Sequence, residues 1–397
     1  MDTKKPPSPL LGIVVAASLS RAVINTSKRF MYPFAPVIGR GLGIPLTSVT
    51  SAIAVNQATS LVGLFTSHLG DRTGYRRLML AGLILLVAGM LLGGAVPTYY
   101  SLVIAMFLGG LGKTLFDPAI QAYVSNQVSY KRRGLVIGIM ETSWAAATLA
   151  GIPLAGILID RLGWRSPFFA LAGAGLICIG IILIYVRDDS TPKPAPDRAR
   201  PFLSSIRGLL VTRQALGAVG FGFFVSLAND NLFVIYGAWL ESSFNLSIVS
   251  LGLGTGVIGI AELAGELFTA TLADRIGLKR SVFTGGLLCC LAYLGLPWAG
   301  VSVGGALAGL FGVFLFFEFC MVSFLSMCTE LVAGSRATMM SLFFLAAGAG
   351  RVVGAFSGGL LWKALGLETV CITSAVCSLA GLACLAYGLR TWTPGRG

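Results

Sequence analysis

Apolar residues gather in twelve runs, at 10–37, 49–69, 78–96, 101–125, 134–158, 167–186, 212–239, 249–270, 281–298, 303–328, 337–361 and 369–388. Each reaches or approaches the ~20 residues an α-helix needs to cross ~30 Å of hydrocarbon. The runs are continuous rather than alternating, which argues against the strands of a membrane barrel. The pattern predicts an all-α integral membrane protein with twelve transmembrane helices. Between the sixth and seventh runs, Arg187-Asp188-Asp189-Ser190-Thr191-Pro192 and the residues after it are polar and proline-rich. They predict a linker at 187–211 joining two six-helix bundles, 1–186 and 212–397.

The two halves repeat. Gly70-Asp71-Arg72-Thr73-Gly74-Tyr75-Arg76-Arg77 returns 203 residues later as Ala273-Asp274-Arg275-Ile276-Gly277-Leu278-Lys279-Arg280, each copy between two apolar runs. At the same offset Arg133 meets Arg336, Gly151 meets Gly354 and Gly156 meets Gly359. Several coincidences at one offset indicate duplication, the way many secondary transporters are built.

Composition agrees with the runs. The chain is 55% hydrophobic and 11% charged, against about 25% charged in soluble domains. A net charge of +13 would suggest nucleic acid in a soluble protein. Here the basic residues lie in loops, where they set topology, and nucleic acid is not an expected partner. With both termini cytoplasmic, only Arg40, Arg161, Arg165 and Lys363 fall among the outer loops. Trp164, Trp239, Trp298, Trp362, Tyr99 and Tyr100 then form an outer interfacial belt. The run from Leu10 reads as an uncleaved first helix.

Eight cysteines all lie in apolar runs and none forms a CxxC or Cys/His pattern, so neither a metal site nor a disulfide framework is expected. No nucleotide-binding motif is present, no cofactor is expected, and the one histidine, His68, sits beside the first repeated loop. Without a nucleophile, base or metal constellation the chain does not read as an enzyme.

Chemistry is therefore sought in charges at bilayer depth. Arg21, Lys28, Arg29, Lys113 and Arg351 are the cations; Asp117, Glu141, Asp230, Glu262, Glu266 and Glu318 are the acids. A charge at mid-depth costs about 3 kcal/mol on insertion scales, so these groups must face one another or water. They occupy runs 1, 4, 5, 7, 8, 10 and 11, and runs 3, 6, 9 and 12 carry none, which predicts four peripheral helices around a polar interior. Arg21, Asn25, Lys28 and Tyr32 share one helical face. Lys113 and Asp117, at i and i+4, can pair. Glu262 and Glu266, at the same spacing, repel unless one holds a proton. Glu141 lies one turn before Trp144, and Asn229-Asp230-Asn231 sets three polar residues in an apolar run. The expected substrate-binding residues are Arg21, Asn25, Lys28, Tyr32, Lys113, Trp144, Asn229, Asp230, Asn231, Glu318 and Arg351. The expected proton-coupling acids are Asp117, Glu141, Asp230, Glu262 and Glu266.

Gly350, Gly354 and Gly358 at four-residue spacing predict close helix contact, and Pro153 predicts a bend. The duplicated loops predict gating contacts from Asp71, Arg72, Gly74, Arg76 and Arg77, and from Asp274, Arg275, Gly277, Lys279 and Arg280.

At this point the chain resembles the major facilitator superfamily. Asp71-Arg72-x-Gly74-x-Arg76-Arg77 is similar to its signature between helices 2 and 3. Asp274-Arg275-x-Gly277-x-Lys279-Arg280 is similar to the second-half copy, and Asp160-Arg161-x-Gly163-Trp164-Arg165-x-Pro167-Phe168 to the link between helices 5 and 6 in many bacterial members. The resemblance implies two pseudo-symmetric bundles and alternating access. The chain reads as a secondary transporter of a small organic solute in a bacterial cytoplasmic membrane, a monomer with protons as coupling ion. Its resemblance to exporter-like members favours efflux. Proton-coupled uptake of an anionic or zwitterionic solute is the alternative.

Overall fold

A computed structural model describes residues 10–62, 73–128, 130–187, 212–332 and 336–390. Among these residues every regular element is a helix. Ten stretches are long and apolar enough to cross a membrane, and one of them, Thr338–Gly388, holds two helices joined at Gly366. The run expected at 49–69 is helical from Leu46 to Val62, and its remainder lies outside the described residues. So do Asp71, Arg72, His68 and most of the expected linker.

The chain packs as two compact units, Met1–Phe30 with Val62–Ala195, and Met31–Leu61 with Pro196–Gly397. The elements in chain order are α1 (Leu10–Arg29), α2 (Met31–Leu42), α3 (Leu46–Ala58), α4 (Tyr75–Ala95), α5 (Tyr99–Gln127), α6 (Tyr130–Ala146), α7 (Ile152–Leu162) and α8 (Ser166–Tyr185). They continue with α9 (Arg213–Phe233), α10 (Tyr236–Phe244), α11 (Ile248–Phe268), α12 (Leu278–Ala299), α13 (Val303–Cys328) and α14 (Arg336–Gly388).

The first apolar run is not one helix: it breaks at Phe30, between α1 and α2. Pro33 has no N–H for the Arg29 carbonyl and Pro36 none for that of Tyr32, so the helical ladder loses two rungs there. The matching break, 203 residues on, follows Phe233 and separates α9 from α10. The weak helix formers Asn229, Asp230 and Asn231 precede it. Pro153 acts more gently: the turn before it, Ala147–Gly151, widens to π geometry and the helix continues as α7.

The repeat is also written in the backbone. Gly74 and Gly277 have φ of 88° and 91°, and Gly163 and Gly366 have φ of 86° and 78°. Both pairs stand 203 residues apart, at conformations that glycine adopts without the cost a Cβ would bring.

In the first unit α4 and α5 touch at Gly82 and Gly112, where a Cβ on Gly82 would lie 2.6 Å from the Gly112 carbonyl oxygen. α8 covers α4, with Phe168 and Phe169 seated against Gly93 and Gly94. In the second unit the predicted glycine stripe is a seam. Cβ atoms on Gly350, Gly354 and Gly358 would strike the carbonyl oxygens of Phe223, Leu227 and Asn231 on α9, which have the same four-residue spacing. On the same helix α14, Gly359 lies against Thr50 of α3. Backbones meet here with no side chain between them, which maximises dispersion contact in a medium that supplies no hydrophobic drive.

Two of the four charge-free helices, α8 and α12, are the least buried spans, whereas α4 is as buried as α1. Of the expected aromatic belt, Trp298 is 82% exposed but Trp239 only 3%. Trp239 turns inward, its ring against Gly300 and near Phe244, so it packs rather than anchors. The eight cysteines are free thiols, six of them buried, and Cys320 donates to the Val282 carbonyl at 3.2 Å.

Candidate functional site

Each unit gathers expected site residues into its own polar cluster. In the first unit, Arg21 of α1 is 2% exposed. Its guanidinium grips Glu141 of α6 with two parallel bonds, Nη1 to Oε1 at 2.7 Å and Nη2 to Oε2 at 3.0 Å. The fork geometry matches the carboxylate and makes this the strong form of an ion pair. The Arg21 Nε faces Asp117 Oδ1 at 3.5 Å, while Asp117 Oδ2 accepts from Lys113 Nζ at 2.6 Å along α5. Lys113 also donates to Asn25 Oδ1 at 2.6 Å, and Asn25 Nδ2 reaches the Ser143 hydroxyl at 3.3 Å. Gln121, one turn beyond Asp117, donates to Glu141 Oε1 at 3.2 Å. Three helices are thereby joined by one chain of alternating charge.

Trp144 closes the cluster. Lys113 Nζ lies 4.5 Å and the Arg29 guanidinium 4.6 Å from its ring centroid, both within cation–π range. Arg29 also donates to the Thr148 hydroxyl, in the π turn above Pro153. The widened turn thus has a side-chain partner on α1. Gly151 in the same turn sits against Thr26, so α1 and this segment are in close contact.

In the second unit the cluster centres on Asp230 of α9, 2% exposed. Gln57 of α3 donates its Nε2 to Asp230 Oδ1 at 3.1 Å and to the Tyr32 hydroxyl at 2.6 Å. Tyr32 of α2 is itself 3.5 Å from Asp230 Oδ1. Arg351 of α14 approaches Asp230 Oδ2 at 3.9 Å. Asn231 accepts from Ser357 at 2.6 Å. Three buried amide atoms around Asp230 (Gln57 Oε1, Asn229 Oδ1 and Asn231 Nδ2) have no hydrogen-bond partner among the described residues. At the far end of α2, Arg40 forks onto Glu241 of α10 at 2.5 and 3.1 Å.

The structure therefore divides the expected helix-1 face. Arg21 and Asn25 serve the first cluster; Tyr32, beyond the break at Phe30, serves the second. Lys28 is half-buried on α1. Glu262 and Glu318 are half-buried and Glu266 is exposed, all three in the second unit. Gly265 lies against Glu318 Cβ, where α11 meets α13. Of the loop residues, Gly74 and Gly277 cap α4 and α12 at positive φ, and Arg76 donates to the Leu183 carbonyl at 2.8 Å. Arg77, Arg275, Lys279 and Arg280 are exposed. Gln57, Gln121 and Ser143 were not anticipated. Gln121 continues the i, i+4 series of Lys113 and Asp117, a readable sign. Gln57 is neutral, and the charge pattern of the chain gives no sign of it.

Comparison with known proteins agrees with this architecture. The sequence profile of the Major Facilitator Superfamily matches residues 17–225 and 218–395, one match to each half. The chain is 24% identical over 345 residues to the MFS-type transporter YceJ of Bacillus subtilis, covering 86% of this chain and 87% of that one. It is 30% identical over 271 residues to the multidrug resistance protein MdtG of Proteus mirabilis, a match spanning 66% of this chain and 63% of MdtG. In three dimensions it resembles a bacterial homologue of the human lysosomal transporter Spinster in an inward-facing conformation, with a TM-score of 0.75 at 13% identity, covering 97% and 99% of the two chains. A peptide transporter POT in complex with alafosfalin gives a TM-score of 0.78 at 16% identity, covering 100% and 97%. With both halves matched by one family and a helical membrane fold shared with its solved transporters, the chain is a multi-pass membrane transporter and belongs to the Major Facilitator Superfamily.

Proposed function

We propose that the protein is a secondary active transporter that moves a small organic solute across a bacterial cytoplasmic membrane by alternating access, coupled to protons and working as an efflux antiporter. The similarity to MdtG supports the efflux direction. The observation that carries proton coupling is Asp230. It is a buried acid that accepts from two neutral donors, Gln57 and Tyr32, and has the Arg351 guanidinium at 3.9 Å. The unpartnered amide atoms beside it offer donors and acceptors to a solute. Glu262 and Glu266 are further coupling acids of that unit in this reading, and Glu318 belongs to its solute-binding set.

In this reading the bundles are 1–186 and 212–397, joined by the linker at 187–211, with both termini cytoplasmic. The Asp71 and Asp274 loops act as gating contacts, with Arg76 anchored on the Leu183 carbonyl. Uptake of an anionic or zwitterionic solute by symport is the second reading, favoured by the cations around Trp144.

Proteoliposomes test the coupling. Solute movement should follow an imposed pH gradient and collapse with a protonophore. Asp230→Asn should abolish gradient-driven transport while sparing solute exchange at zero gradient. Driven transport at the wild-type rate in Asp230→Asn would remove this acid from the mechanism.

A further inference from the structure

Two arginines of the second unit meet at the edge of its membrane-spanning helices. The spanning stretch that contains α9 begins at Arg213, and the one that contains α14 ends at Gly388. These ends lie side by side: a Cβ on Gly388 would stand 2.9 Å from the Arg213 carbonyl oxygen and 2.9 Å from the Gly217 Cα. Arg213 and Arg390 are therefore neighbours where an apolar span gives way to polar chain, the level of lipid headgroups. Both reach one ring. Each guanidinium carbon lies 5.7 Å from the Tyr387 ring centroid, within cation–π range.

Like charges gathered on one ring repel unless something negative joins them. Other cations of the molecule have such a partner or a strong acceptor: Arg21 has Glu141, Lys113 has Asp117, Arg40 has Glu241 and Arg76 has the Leu183 carbonyl. Among the described residues the side chains of Arg213 and Arg390 meet neither an acid nor a hydrogen-bond acceptor, only Tyr387. Both are exposed. Each guanidinium thus keeps five N–H donors in a planar fork that matches two phosphate oxygens. The surface that runs on into the membrane is apolar. Leu216, one turn from Arg213 on the same helical face, is exposed, as is the Tyr387 ring itself. A phosphate and hydrocarbon chains are wanted within one turn of each other.

We infer that Arg213, Tyr387 and Arg390 form a headgroup site for an anionic phospholipid, its phosphate held by the two guanidinium groups and its chains lying along α9 and α14. A lipid is favoured over a free anion by placement, because only a lipid uses the apolar surface beside the charges. The site is independent of the solute, direction and coupling ion proposed above.

Lipid titration of the purified full chain in dodecyl maltoside tests it. The probes are phosphatidylglycerol, phosphatidylcholine with the same acyl chains, and sodium phosphate, all at constant ionic strength. The readouts are thermal midpoint and the lipid adducts retained in native mass spectrometry. Phosphatidylglycerol should raise the midpoint saturably and stay bound as a discrete adduct. Phosphatidylcholine should bind roughly tenfold more weakly, and inorganic phosphate should leave the midpoint unchanged. Arg213→Gln combined with Arg390→Gln should weaken phosphatidylglycerol roughly tenfold or more. Arg161→Gln combined with Lys363→Gln removes the same charge from two exposed sites elsewhere and should keep the full affinity. Should the first pair fail to fold, Arg390→Gln alone should weaken binding severalfold. Equal affinity for the two lipids, equal loss in the two double variants, full affinity without the arginines, or stabilisation by inorganic phosphate alone would overturn the inference.

Discussion

The two units solve one problem in opposite ways. The first ties its acids to a buried arginine in one chain of ions: Arg21 with Glu141 and Asp117, Lys113 with Asp117. In the second, Asp230 accepts from the neutral donors Gln57 and Tyr32, with Arg351 at 3.9 Å. The same duplicated backbone, with glycine turns at Gly74 and Gly277 and at Gly163 and Gly366, therefore carries a chain of ion pairs in one half and an acid bonded to an amide and a phenol in the other. Duplication fixes where helices bend and touch. It leaves free what the polar residues between them do.

The contrast is easiest to break at Glu141. Glu141→Gln leaves the Arg21 guanidinium buried without its bidentate partner, which should cost about 3–5 kcal/mol; chemical unfolding in detergent reads it. Asp230→Asn keeps the donors of Gln57 and Tyr32 engaged by the amide oxygen and should cost far less. Equal losses in the two variants would show that the units do not differ as described. Next in size is the seam. Gly354→Leu forces a side chain onto the Leu227 carbonyl and should destabilise by about 1–3 kcal/mol or more, seen as a lowered thermal midpoint. Gln57→Leu removes the donor shared by Tyr32 and Asp230 and should cost about 1–3 kcal/mol. If the second cluster is held by neutral bonds, that loss should be insensitive to salt. The smallest effect belongs to Arg40, 62% exposed at its side chain. Arg40→Ala should cost about 1 kcal/mol or less, and added salt should erase the difference.

Much of this was legible in the sequence because it is carried by residue types with one physical use. Glycines at φ near +90° can be read from the repeat, as Gly74 and Gly277 show. The Lys113–Asp117 pair follows from spacing alone. The stripe Gly350, Gly354 and Gly358 announced a close contact, though not that its partners would be the carbonyls of α9. The break at Phe30 has its sign in Pro33 and Pro36, but hydropathy runs straight across it, and helical spacing alone puts Tyr32 on the face of Arg21. Arg21 and Glu141 lie 120 residues apart, and no local rule pairs them. Trp239 has the composition of an interfacial anchor and the burial of a core residue, a choice made by its neighbours Gly300 and Phe244.

The glycine seam of α9 and α14 has one more consequence. Its contact is main chain on main chain, so it does not depend on which side chains surround Asp230. If the cluster around Asp230 binds solute as proposed, preference can drift by substitution at positions such as Asn229, Gln57 or Arg351 while the framework is inherited intact. A lineage built this way can change its cargo without having to reinvent its architecture.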